Sequence, residues 1–291
     1  MLVPFAERTD VESVGTTLEL EPGYYKVKAD DCQPFDVVVA GKIQMDATWN
    51  YYCGGTLHEG LKVSYEINLD QLGDAMIEGP GWNTKYNREF RYLPDLVEVD
   101  SAVRSLEAQL AKVFSDIGGD TDDRQAYADF LVSFPQKAIQ YPKKNTDAED
   151  MYVWGVAEYW AKPIETLFFK IGDCEDTSAL ACSLFKAAGY KSAMVGVSGH
   201  VTAAVSLDLF TERNLEDYKT VCSTYSVLTV ASGYAYNDRD GTGRIYYGVD
   251  TIKGQVPVGY MSRANVDSFG KTVRSLGDFH VFGVAGFYPV P

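Results

Sequence analysis

The 291-residue sequence predicts an α+β fold, with a β-rich region over residues 1–100 and a second region over residues 101–291 that is helical first and strand-forming later. Two observations lead there. Before residue 100, short runs rich in Val, Tyr and Ile alternate with turn residues; after it, apolar residues recur at helical spacing until short alternating runs return near residue 192. With 46% hydrophobic residues, a chain of this length can bury a packed core.

From Thr16 to Leu69 the runs TTLELE, GYYKVKA, DVVVAGKI, TWNYYCGG and LKVSYEINL read as strands, divided by Pro-Gly, Asp-Asp and Gly-Gly turns. The passage GDAMIEGPGWNTKYNREFRYLPD reads as a loop. VEVDSAVRSLEAQLAKVFSDIGG then sets Val103, Leu106, Leu110, Val113 and Phe114 near helical spacing, with Gly118-Gly119 as a stop. Thr121 or Asp122 caps the next helix, DRQAYADFLVSF, which Pro135 ends or kinks. AEDMYVWGVAEYWA is a further helical run that stops before Pro163 and carries Trp154 and Trp160 as core anchors. In CEDTSALACSLFKAAG, Thr177, Leu180, Ala181, Leu184 and Ala188 line one helical face, and Gly189 stands where a left-handed cap is expected. After it KSAMVGV, HVTAAVSL, YSVLTVASGYAY, GRIYYGVD and FHVFGVAGFYPV read as strands.

Charge excludes one class of partner. The 41 acidic and 26 basic residues give a formal net charge of −15, which repels phosphate backbones and argues against nucleic acid. No apolar run reaches the roughly 20 residues a bilayer span needs. The opening MLVPFAERTD lacks the features of a signal peptide, whether it is a native start or follows a removed leader. The five cysteines form no C-x-x-C pair, and their odd number argues against a disulfide framework and a cysteine zinc site. Cys32 and Cys53 read either as separate buried thiols or as a pair bridging two strands. The acidic run NDRDGTG, with Asp238 and Asp240, reads as a hairpin turn, since a calcium loop would end in a glutamate that is absent here.

Cys174 falls in the first turn of its helix, where free backbone N–H groups and the helix dipole favour a thiolate and can steady an oxyanion beside the sulfur. Gly172 leaves room for a substrate or chain to approach, while Glu175 and Asp176 suit a helix start but oppose ionisation of the thiol. The mixed field calls for a base. Of the three histidines, His58 lies in a turn of the β-rich region and His280 in the last strand; His200 opens a strand after Ser198-Gly199, a turn that can aim its ring into a cleft. Asp250, at the end of RIYYGV, is the carboxylate suited to orient that ring. Asp208 is too far along the histidine's own strand.

These residues carry a resemblance. PIETLFFKIGDCEDTSALACSLFKAAGY, then GHVTAAV and YYGVDT, resembles the transglutaminase-like superfamily, in particular its prokaryotic and archaeal cysteine-protease branch. The shared marks are a P-x-E-T-L lead-in, G-D-C-E-D, a G-H before a strand and an aromatic strand ending in Asp-Thr, in the order Cys, His, Asp. FLVSFPQKAIQYP is similar to the family's upstream helix, so the resemblance runs from about Phe130 to Thr251.

The resemblance implies a papain-like, transglutaminase-like core with Cys174 as nucleophile, His200 as general acid/base and Asp250 as orienting carboxylate. It offers Gln136 and Tyr141 as second oxyanion donors, although both also read as helix-end residues. It implies a protein or peptide substrate and neither cofactor nor metal. Amide hydrolysis through a thioester is the implied activity; cross-linking by acyl transfer and a catalytically silent binding module stay open. The resemblance points toward an extracytoplasmic setting and leaves a cytoplasmic one open. Two departures stand out: a long interval from His200 to Asp250, implying an inserted hairpin around 220–243, and Val201-Thr202 where the family carries an aromatic after G-H.

Overall fold

The computed structural model describes residues 20–28, 33–86, 90–142, 149–156, 158–197, 199–232, 236–237, 243–251, 254–274 and 286–291. β1 (Gly23–Val27) pairs antiparallel with β2 (Phe35–Val39), and β3 (Lys42–Cys53) pairs with β4 (Thr56–Asn68). Gly54 and Gly55, both at positive φ, make the tight turn that joins β3 to β4. Along β3 every second residue from Met45 to Tyr51 is buried, so one face of this long hairpin is core and the other is solvated.

The passage expected to be a loop instead forms α1 (Leu69–Tyr86) and a 3-10 turn over Phe90–Leu96. Leu69, Leu72 and Ala75 seat α1 in the core, and that burial outweighs the weak helix propensity of Gly73 and Gly79. α2 (Ser101–Asp116) begins at Asp100, whose carboxylate accepts from Val103 N at 2.8 Å. α3 (Arg124–Ala138) is capped by Asp123, not by Thr121 or Asp122, and runs one turn past Pro135. α4 (Glu149–Val153) is much shorter than the run AEDMYVWGVAEYWA suggests. Gly155 at φ 73° turns the chain out of the helix, and Asp150 accepts from Tyr159 N at 2.5 Å, folding the segment back.

α5 (Pro163–Phe169) leads into α6 (Cys174–Ala187), which Gly189 closes at φ 78°. β5 (Ser192–Val197) and β6 (His200–Ser206) follow, with Gly199 at φ 67° in their turn. β7 (Leu228–Val230) comes after a 3-10 turn at Tyr225–Val227 where a strand is expected. β8 (Tyr236–Asn237) pairs with β9 (Gly243–Arg244) around the NDRDGTG run, whose Asp238 and Asp240 lie outside the described residues. β10 (Tyr246–Val249), β11 (Tyr260–Ser262), α7 (Arg263–Arg274) and β12 (Phe287–Pro289) complete the described elements. No element is expected over α7 from the sequence, although its apolar residues recur at helical spacing.

The antiparallel sheet β10-β6-β5-β12 organises the second region. Its two faces differ. Met194, Ala203, Val205 and Val249 join the main core with α6, whereas Ala193, Val195, Ala204, Tyr246 and Phe287 pack with Phe269 of α7. β5 and β6 are therefore mainly apolar, with Ser192 and Thr202 as buried polar exceptions, as expected of strands covered on both faces. The main core crosses residue 100: Trp49 and Tyr51 of β3 meet Phe130 of α3 with ring centroids 5.8 and 4.9 Å apart. The shift at residue 100 thus marks a change of secondary structure inside one continuous core. No described helix is long and apolar enough to cross a membrane.

Candidate active site

Three element ends meet around Cys174. The thiol stands at the first residue of α6, with Asp173 as the N-cap and Asp176 reaching back to Asp173 N at 3.3 Å. Gly172 is required by packing: a Cβ there would lie 2.8 Å from Cβ of Asp176 and 3.2 Å from Cγ2 of Thr166. The space expected to admit a substrate is filled by the protein's own side chains. Gln140, just beyond α3, forms a bridge to Ile171, with Gln140 N donating to Lys170 O at 2.8 Å. That bridge sets Tyr141, half-buried, beside the loop that leads to Cys174.

The second end is the start of β6. Val201 N donates to Cys174 Sγ at 3.4 Å, so the sulfur lies against the backbone next to His200. The third end is that of β10. Thr202 donates its hydroxyl to Val249 O, and the hydroxyls of Thr251 and Thr177 are 2.7 Å apart, tying the residues on both sides of Asp250 to β6 and α6. Asp250 is fully buried, and its Oδ1 lies 3.6 Å from His200 Nε2. That separation is longer than a hydrogen bond and becomes an ion pair only when the imidazole is protonated. Val201 and Thr202 thus touch the sulfur and the strand that leads to Asp250.

The sulfur also has an acidic neighbour. Cys174 Sγ donates to Glu175 Oε2 at 3.0 Å, a direct contact with the helix-start residue whose charge is expected to oppose ionisation of the thiol. Burial pushes the Cys174 thiol well up from its ordinary value, and the charges of Glu175 and Asp173 push the same way. These effects oppose the thiolate that the dipole of α6 favours. Glu175, Asp173 and Asp176 are themselves shifted upward, first by burial and then by one another. Oxygens of Asp150, Asp173 and Asp176 lie within 4.8 Å of one another, and so do oxygens of Asp150, Glu158 and Glu175. Carboxylates this close raise one another's pKa unless they share protons or hold a cation. Sequence reasoning missed this cluster, because Asp150 and Glu158 come from a segment without any motif.

Gln136, read as a candidate oxyanion donor or a helix-end residue, lies near the end of α3 with its amide engaged. Its Nε2 donates to Asp250 O at 2.7 Å and to Val256 O at 2.8 Å, which commits both amide protons. Asp208 is exposed beyond the end of β6, and His58 sits on β4 opposite Tyr51. His280, Ser198 and Cys32 lie outside the described residues; Cys53, Cys174, Cys182 and Cys222 carry free thiols. Trp160 is a core residue, while Trp154 is half-buried and stacks on Tyr159 at 4.4 Å. No family model, curated protein or solved structure matches the chain.

Proposed function

We propose that the protein is a cysteine-dependent amide hydrolase, a peptidase or isopeptidase, built on a papain-like, transglutaminase-like core. The observation that carries this reading is the meeting of a helix-start thiol with a strand-start histidine segment, the histidine in turn facing a buried carboxylate. Sγ of Cys174 receives the N–H that follows His200, and Nε2 of His200 faces Asp250. With Nε2 turned to Asp250, Nδ1 is the nitrogen that serves the sulfur.

In the first step the Cys174 proton passes to His200 and Sγ attacks the amide carbonyl carbon. Backbone N–H groups of the first turn of α6 stabilise the tetrahedral oxyanion. The C–N bond then breaks, His200 returns the proton to the leaving amine, and a thioester remains. Water, deprotonated by His200, hydrolyses the thioester and restores the thiol. Asp250 holds the ring and favours its charged form during both transfers. Glu175, which holds the thiol proton at rest, must lose that bond before attack; its release is part of the barrier.

The test is incubation of the protein with a mixed peptide pool, followed by mass spectrometry, with and without a primary amine. New peptide termini that disappear with Cys174→Ala are the expected result. Amine-dependent mass additions without cleavage would assign acyl transfer, and no Cys174-dependent product would leave the silent binding module as the better reading.

A further inference from the structure

A helix in the middle of a core is expected to be apolar on its buried faces, because each buried polar group costs free energy unless it is paired. α3 departs from this. Gln125, Asp129, Ser133 and Gln136 are all buried, and their spacing of four, four and three residues sets them along one face. Three of them grip the long connection between His200 and Val258. Gln125 donates to Thr211 O at 2.9 Å and accepts from Thr211 N at 2.8 Å. Asp129 pairs with Arg213 at 2.9 Å and accepts from Val258 N at 2.6 Å. Gln136 is the member that reaches the site itself, through the carbonyl of Asp250.

We propose that Gln136 is a positioning residue for the His200–Asp250 pair. The proposal rests on the reading of Cys174 and His200 as the reacting pair. Among the described residues, β10 stops at Val249 and the next strand begins at Tyr260. One amide binds both Asp250 O and Val256 O, drawing these two residues together. The threonine contacts fix Val249 and Thr251, and Gln136 fixes the residue between them. With all three backbone positions held, the Asp250 carboxylate has a defined place opposite the ring. A 3.6 Å contact has little slack before its orienting effect is lost.

The test follows the rate at which iodoacetamide modifies Cys174, which requires no substrate, across pH. Gln136→Met keeps the length of the side chain and removes both donors. Losing the alignment of Asp250 disfavours the charged imidazole, so the thiolate forms at higher pH. Cys174 modification in Gln136→Met should therefore slow by about tenfold at neutral pH, the scale of one hydrogen bond, and its pH midpoint should move upward. Asp250→Asn should move the midpoint the same way, and Gln125→Met, which loosens the same connection away from Asp250, should leave it in place.

The thiol also faces Glu175 and Asp173 from its own helix, with Asp150 and Glu158 beside them. All four are unchanged in these variants. A folded Gln136→Met with the wild-type profile, or an equal shift in Gln125→Met, overturns the positioning role. If Gln136→Met does not fold, Gln136→Glu decides, since a carboxylate facing two carbonyls must displace Asp250 and shift the midpoint further. If His200→Ala leaves the profile unchanged, the pair itself is wrong; if His200→Ala and Asp250→Asn shift it and neither Gln136 variant does, only the role of Gln136 fails.

Discussion

Cys174 and Cys182 lie on the same helix, two turns apart, and burial raises the pKa of both. Cys182 is pushed up to about 12, and Cys174 well up, with carboxylate charge added. An electrostatic ranking alone would make both inert. Their neighbours separate them. Cys182 is fully buried, points to Ala193 O at 3.4 Å and is enclosed by apolar side chains. Cys174 is only partly buried and touches a backbone N–H beside His200 and a carboxylate that can take or hold its proton. On the proposed function, reactivity in this helix depends on partners that can move a proton, more than on burial of the thiol.

The largest expected effect is between the two cysteines. In native protein, iodoacetamide should modify Cys174 at least about 10³-fold faster than Cys182, because Cys182 becomes accessible only through unfolding. Peptide mapping after timed quenching measures both. Equal rates would remove the distinction.

Glu175→Gln sharpens the comparison from the other side. It removes an acceptor that holds the thiol proton and a charge that opposes thiolate, so Cys174 modification should rise by about tenfold, corresponding to one unit of pKa. Cys182 should not change. A fall in the Cys174 rate would show Glu175 to be the working base.

Stability should carry the imprint of the buried acids. Asp129 is raised to about 6 and Glu175 to about 8, in each case chiefly by burial, and Asp173 is raised as well. A carboxylate whose folded pKa exceeds its unfolded value of about 4 binds more protons in the native state, so stability falls as pH rises between the two values. The melting temperature should decline from about pH 5 to pH 8. Glu175→Gln should flatten the upper part of that decline, and a melting curve flat over this range would contradict the assigned burial.

The smallest effect belongs to Cys182→Ala. Removing one buried sulfur should cost about 1 kcal/mol, or about 2–4 °C in melting temperature, without altering the rate at Cys174.

Legibility in the sequence followed locality. The β3–β4 hairpin announced itself by alternation and Gly54-Gly55, and α6 by Glu175 and Asp176 at one end and Gly189 at the other. α1 was hidden because its glycines and polar residues obey no period; the burial of Leu69, Leu72 and Ala75 holds it. The helical pattern of AEDMYVWGVAEYWA failed at Gly155, whose positive φ no periodicity reports. Cys174, His200 and Asp250 were legible as helix start, strand start and strand end. Glu175 as a partner of sulfur, the cluster with Asp150 and Glu158, and the hold of Gln136 on Asp250 were not. Each is a contact between segments, or a choice of rotamer, on which local pattern is silent.

The central claim is that Cys174, His200 and Asp250 act as a unit. The most direct measurement is the rate of Cys174 modification by iodoacetamide from pH 5 to pH 10 in the wild type and in His200→Ala, with folding checked by circular dichroism. The account predicts that His200→Ala slows the reaction near neutral pH by about 10²-fold or more, the scale of a lost general base, with the two profiles converging at high pH. Superimposable profiles in two folded proteins would contradict it.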